Sequence, residues 1–229
     1  RMSRGLGDVY KRQGRDANFG LMIFINGIPQ MIKHEDKESL VYTFKGKKDT
    51  NKTEHVSIMP NTGSKGDHLY MHAFLIADYE IVDSLKQLTN KQHMMACGTT
   101  FIDIHQDTAN NPIDLNNNYD LIDYTSDLLK HDDEEGYFDN NLLIQFPNNL
   151  EGNFKKNKPI TIKMSGISDN YILWVLEDLK PVSSYHIELP KNKSAVLSYK
   201  PGNKTKNVKA IAIPLSSNLP EESTSLVVK

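Results

Sequence analysis

The feature that most constrains this fold is a strand–turn–strand plan that the chain carries twice. Leu21-Met-Ile-Phe-Ile-Asn-Gly-Ile-Pro-Gln-Met31 reads like Ile172-Leu-Trp-Val-Leu-Glu-Asp-Leu-Lys-Pro-Val182. Val56-Ser-Ile-Met-Pro60 reads like Leu197-Ser-Tyr-Lys-Pro201, and Leu69–Ile76 reads like Val208–Leu215. The blocks keep their order. The spacing between copies changes only in polar stretches such as Lys45–Thr53 and Asn61–Asp67, where surface loops absorb insertions. A recurring supersecondary plan implies duplicated modules rather than one continuous core. The competing account is that β-rich segments share a few apolar residues and slide into agreement; the order of blocks speaks against it. The plan sets an architecture and points to no chemistry.

Strand character is clearest where apolar and polar residues alternate. Ile160, Ile162 and Met164 share one face, with Thr161 and Lys163 on the other. Val208, Ala210 and Ala212 alternate with Lys209, Ile211 and Ile213, giving apolar residues on both faces. Leu21–Ile25 is apolar throughout, as suits a central strand covered on both sides. Asn26-Gly27 follows it and suits a tight hairpin with positive φ. Strands recur about every ten residues with turn residues between them, the spacing of sandwiches rather than βαβ units. Helical spacing occurs at Ile81, Leu85 and Leu88, and again at Leu121, Ile122, Thr125, Leu128 and Leu129. His93–Ile104 reads as closing strands.

The chain has 229 residues, 38% apolar and 24% charged, enough for one large or two ordinary domains. A net charge of -2 speaks against a nucleic-acid binder, which needs a basic stripe. No run approaches the roughly 18 apolar residues of a membrane span. The single cysteine, Cys97, excludes an internal disulfide. Its apolar setting in Met94-Met-Ala-Cys-Gly98 fits an inert buried thiol. Arg1–Gln13 lacks the apolar core of a signal peptide and resembles translated adapter sequence, so residues 1–17 are left outside the fold. Leu226-Val-Val-Lys229 stops in what reads as a strand, and the chain reads as a fragment.

The pattern "apolar strand, Asn-Gly-Ile-Pro-Gln, strand, Pro-Asn-Thr-Gly-Ser-Lys-Gly-Asp, strand" resembles tandem immunoglobulin-like β-sandwiches of surface-exposed proteins from Gram-positive bacteria. The resemblance covers most of residues 18–229, rests on short motifs and carries over no catalytic or binding residue. The expected fold is therefore mainly all-β: two tandem immunoglobulin-like β-sandwiches at 18–110 and 140–229. A short, acidic, partly helical connector over 111–139 joins them. What the resemblance implies is an extracellular or cell-surface location.

Candidate chemistry is sparse. Asp114-Leu-Asn-Asn-Asn-Tyr-Asp120 begins like a calcium loop, but Tyr119 stands where glycine is needed and Thr125 where glutamate is needed. Asp132, Asp133, Glu135 and Asp139 are the best nominees for Ca²⁺, against the plainer reading of a solvated acidic linker. No other cofactor is implied. His68 and His72 lie about 13 Å apart on one strand side, too far to share a zinc ion. Asp103 and His105 have the spacing of a carboxylate and a base on one strand face, yet no nucleophile attaches to them. Trp174 reads as core before sugar platform. Asn61, Lys65 and Asp67 are nominated for binding by loop position alone. The function expected is non-catalytic: a secreted or surface protein presenting sandwich faces or loops to a protein, cell-wall polymer or glycan. The alternatives are an accessory region of a larger extracellular enzyme acting on polysaccharide or protein, and, more weakly, a hydrolase using carboxylates of the middle region.

Overall fold

The apolar run at Leu21–Ile25 needs cover on both faces, and it lies at the centre of a five-stranded sheet. A computed structural model describes residues 16–48, 53–88, 92–108, 113–124 and 142–229. The chain divides into two units. The first holds the residues up to Ile81 and Lys86–Ile113; the second holds Val82–Leu85 and Asp114–Lys229. Among the described residues no helix is long and apolar enough to cross a membrane.

The strands of the first unit are β1 (Ala17–Ile25), β2 (Ile28–Pro29), β3 (Ile32–His34), β4 (Lys37–Ser39), β5 (Tyr42–Gly46), β6 (Ser57–Ile58), β7 (His68–Ala77) and β8 (His93–Asp103). The main sheet runs β2-β1-β7-β8, with β5 also paired to β1; β4-β3-β6 form a small second sheet. Alternation sends Leu21, Ile23 and Ile25 to the same side as Met71, Ala73 and Leu75, where Ile32 and Ile58 meet them. The other side of β1 and β7 is buried too, with Phe24 and Phe74 edge to face at 5.4 Å. Gly20 is required there because a Cβ would stand 2.2 Å from the Tyr79 ring.

The second unit continues with β9 (Asp120–Asp123), β10 (Leu143–Gln145), β11 (Asn153–Phe154), β12 (Ile160–Ser165), β13 (Asp169–Glu177), β14 (Lys180–Leu189), β15 (Lys193–Tyr199), β16 (Asn207–Pro214), β17 (Glu221–Glu222) and β18 (Leu226–Val228). One sheet runs β10-β12-β15-β9; the other runs β11-β18-β16-β13-β14, with β17 beside β16. Both feed a single core. Ile160, Ile162 and Met164 come from the first sheet, and Leu173, Val175, Val208, Ala210 and Ala212 from the second. The alternation at Ile160–Met164 and Val208–Ala212 thus sorts these side chains as the sequence predicts.

One turn is built alike in both units. In each, a long strand turns through two residues of positive φ: Asn26 and Gly27 (48° and 77°), and Asp178 and Leu179 (48° and 65°). In each, the first turn residue donates its N–H to the neighbouring long strand: Asn26 to Tyr70 O and Asp178 to Asn207 O. Aligned on this turn, Asn26 falls on Asp178 and the first sequence block moves by one residue, so that Leu21 falls on Leu173; both face a core.

Three expectations change. Leu121 and Ile122 do not start a helix; they lie in β9, antiparallel to β15, and stay exposed. Backbone pairing outweighs the helical spacing at these two residues; Thr125, Leu128 and Leu129 lie outside the described residues. The helix expected from Ile81 to Leu88 is one turn, α1 (Leu85–Leu88). Strand β1 begins at Ala17, and Asp16 Oδ1 accepts from Lys48 N at 2.8 Å, so the last two residues assigned to the leader join the fold. Asp132, Asp133, Glu135 and Asp139, the rest of the leader and the Cys97 side chain lie outside the described residues.

Candidate ligand-binding site

Strand β7 places His68, Tyr70 and His72 on one face, and the antiparallel register sets them opposite Asp103, Phe101 and Thr99 of β8. Along this face the environment changes from core to solvent. His72 is fully buried, Tyr70 half-buried and His68 exposed. At the exposed end Phe101 packs against two rings, with the His68 imidazole 4.5 Å from it at 20° and the Tyr70 ring 4.5 Å away at 42°. Phe101 remains 47% exposed, a large apolar ring held open by its neighbours.

A carboxylate anchors the platform's edge. Asp103 Oδ1 stands 2.6 Å from His68 Nδ1. An ionised carboxylate only accepts, so Nδ1–H donates and Nε2 is the ring's remaining polar atom. The hydrogen bond from His68, with the charge of His68 and His105 behind it and slight burial opposing, holds the Asp103 carboxyl below the usual range. The Tyr70 hydroxyl makes no hydrogen bond among the described residues. The platform thus offers partly exposed aromatic surface with a hydroxyl, an imidazole nitrogen and a carboxylate around it. Among the described residues no serine, threonine or cysteine hydrogen-bonds the His68 ring.

The loop before β7 fixes where this face begins. Asn61 N donates to Gln30 Oε1, Ser64 N to Asp67 Oδ2 at 2.7 Å, and Lys65 N to Asp107 Oδ1 at 2.9 Å. Gly66 N donates to Ile104 O, and Ile104 N to Asp67 O. The Thr108 hydroxyl closes on Gly63 O at 2.7 Å. Gly63 has φ +102, and a Cβ there would meet Leu69 Cδ1 at 2.7 Å. Of the residues nominated from loop position, Asn61 and Asp67 spend polar groups holding the loop. Lys65 contributes its N–H and leaves its side chain in solvent.

The other sequence candidates are placed differently. Asp103 pairs across the sheet with His68 rather than along its own strand with His105. Trp174 is 5% exposed and unsuited to stack on a sugar. In Asp114–Asp120, Asn116 bridges the edge of β14, donating to Ser184 O and accepting from His186 N, while the Tyr119 hydroxyl accepts from Glu188 N. That segment caps a strand edge that would otherwise invite another chain. Among the described residues no three His, Cys, Asp or Glu side chains gather as a metal set.

A second polar cluster belongs to the fold. The Tyr42 hydroxyl donates to Glu54 Oε2 at 2.9 Å, and the His34 ring stacks on Tyr42 at 4.6 Å. Burial first, then Glu54, pushes the Tyr42 hydroxyl up to about 12. The stack continues through Phe44 to Phe19 and the core. Phe101 is the residue that sequence reading missed. Its one signal was an aromatic ring at the polar phase of Thr100-Phe-Ile-Asp103.

Comparison of the chain with protein-family models, curated proteins and solved structures finds no match.

Proposed function

We propose that this chain is a non-catalytic binding protein of the cell surface or extracellular space. In this reading it is built from tandem immunoglobulin-like β-sandwiches and holds a glycan on the His68–Tyr70–Phe101–Asp103 platform. The half-exposed Phe101, packed against His68 and Tyr70, carries the reading. A pyranose ring presents C–H groups on one face and hydroxyls around its rim. Phe101 and Tyr70 supply the surface for the first, and Tyr70 O–H, His68 Nε2 and the Asp103 carboxylate supply partners for the second.

The sandwich part is supported by strand order in the second unit: β10-β12-β15 in one sheet and β18-β16-β13-β14 in the other. Immunoglobulin-like sandwiches put strands A, B and E in one sheet and G, F and C in the other. The turn and its backbone bond, built alike in the two units, support the tandem reading. The surface location rests on the resemblance of the loop motifs.

The test is a glycan array probed with the chain and with Phe101→Ala, both checked for fold by circular dichroism. The expected outcome is a defined set of neutral glycans whose affinity falls about tenfold or more in the variant, the equivalent of about 1.4 kcal/mol. Equal binding by the folded variant, or no glycan bound by the parent chain, refutes the proposal.

A further inference from the structure

Within the second unit, we infer that a groove beside β11 and β18 is a separate binding site for the acidic groups of a polysaccharide, uronate carboxylates or sulfates. The groove encloses about 430 Å³, within the range of small-ligand sites. Its floor is apolar, with Phe154 and Ile160 each 1% exposed, and Leu150 stands 77% exposed on its wall. Three lysines line it: Lys155, Lys158 and Lys229.

The backbone forces these charges together. β11 and β18 pair in parallel, Asn153 with Val227 and Phe154 with Val228, and Lys229 N continues the ladder to Phe154 O at 2.8 Å. The next step sets Lys155 beside Lys229. A turn closed by Lys158 N to Lys155 O at 3.2 Å, with Asn157 at φ 59, brings Lys158 back to the same place. Like charges set side by side on paired strands oppose folding. Among the described residues none of the three forms an ion pair, and Glu151 is the one carboxylate side chain lining the groove. A bound anion relieves that repulsion.

The chemistry selects the ligand. Lysine ammonium groups act as point charges, without the planar fork that arginine offers phosphate or carboxylate, so carboxylate and sulfate are bound alike. Single-stranded nucleic acid stacks its bases on exposed rings, and the groove's one aromatic, Phe154, is buried. The exposed Leu150 beside the charges fits a sugar ring that carries its acid group toward the lysines.

Affinity for polygalacturonate and dextran sulfate, with neutral dextran and a single-stranded oligonucleotide alongside, tests this. The proteins are the parent chain, a Lys155→Gln/Lys158→Gln/Lys229→Gln variant, a control variant Lys33→Gln/Lys45→Gln/Lys65→Gln, and Phe101→Ala. Expected are binding of both acidic polymers that weakens with salt, a loss of about tenfold in the groove variant, and no loss in the control or in Phe101→Ala. An equal loss in the control, no loss in the groove variant, or tighter binding of dextran or the oligonucleotide overturns the inference. Failure in Phe101→Ala alone would tie the acidic polymers to the aromatic platform, which also overturns it.

Discussion

Lys209 lies in the middle of β16, 2% exposed, with its ammonium 2.9 Å from Glu222 Oε2 on β17. Burial pulls the lysine below its ordinary value, and the Glu222 carboxylate opposes that. Neighbouring Glu221 offsets that burial least, and burial raises its own carboxyl despite a backbone hydrogen bond from Glu222. Replacing Glu222 by alanine removes the nearest anion from an ammonium with almost no access to water. The cost of such a break is about 3–5 kcal/mol, a large part of the 5–15 kcal/mol stability of a typical domain. Replacing both residues together, Lys209→Met with Glu222→Leu, removes both charges at similar volume and is expected to fall within about 1 kcal/mol of the parent or above it. Urea unfolding with linear extrapolation measures both. The pH dependence adds a sign. A lysine whose folded value is depressed binds fewer protons folded than unfolded, so stability rises as pH climbs toward the ordinary value of about 10.4. The depression deepens in Glu222→Ala, so its deficit should shrink over that climb. A Glu222→Ala cost under about 1 kcal/mol, or a double variant as unstable as the single, would refute this view of the pair.

Two further outcomes follow from the geometry. Glu177 accepts from the Tyr199 hydroxyl at 2.6 Å, from Gly202 N at 2.7 Å and from the Thr205 hydroxyl. Burial raises its carboxyl, but these three bonds outweigh burial and hold it below its ordinary value. Its contribution is therefore complete above the unfolded value of about 4.3 and is lost as pH falls through the folded one. Glu177→Gln should cost about 1.5–3 kcal/mol near neutrality and flatten the acid limb of the stability curve, read by urea titration from pH 7 downward. Gly63→Ala forces a methyl against Leu69 at a positive φ and should cost about 1–3 kcal/mol. Faster amide exchange at Gly66 and Ile104 would mark the loosened loop, and unchanged exchange would contradict its role.

Much of the fold was legible because burial enforces alternation. Ile160, Ile162 and Met164 had to face one core, and Asn26-Gly27 had to turn, since few pairs accept positive φ twice. The matching turn in the second unit hid because Leu179 occupies a conformation that leucine seldom takes, with its side chain buried. That concealment shifted the alignment of the two sequence blocks by one residue. β9 was misread because Leu121 and Ile122 are held by the backbone of β15 and contribute no buried face. The platform was illegible for another reason. His68 and Asp103 stand 35 residues apart, and only the register of β7 on β8 makes them partners. Asp103 and His105 looked like a pair in sequence, whereas the cross-strand neighbour took the bond.

The claim that a glycan rests on Phe101 is tested most directly by nuclear magnetic resonance of the isotope-labelled chain, titrated with neutral oligosaccharides chosen from the array. The ring signals of Phe101 and Tyr70 and the imidazole signals of His68 should shift together and saturate at one affinity. Saturable shifts that leave these three rings unmoved and appear elsewhere would contradict it.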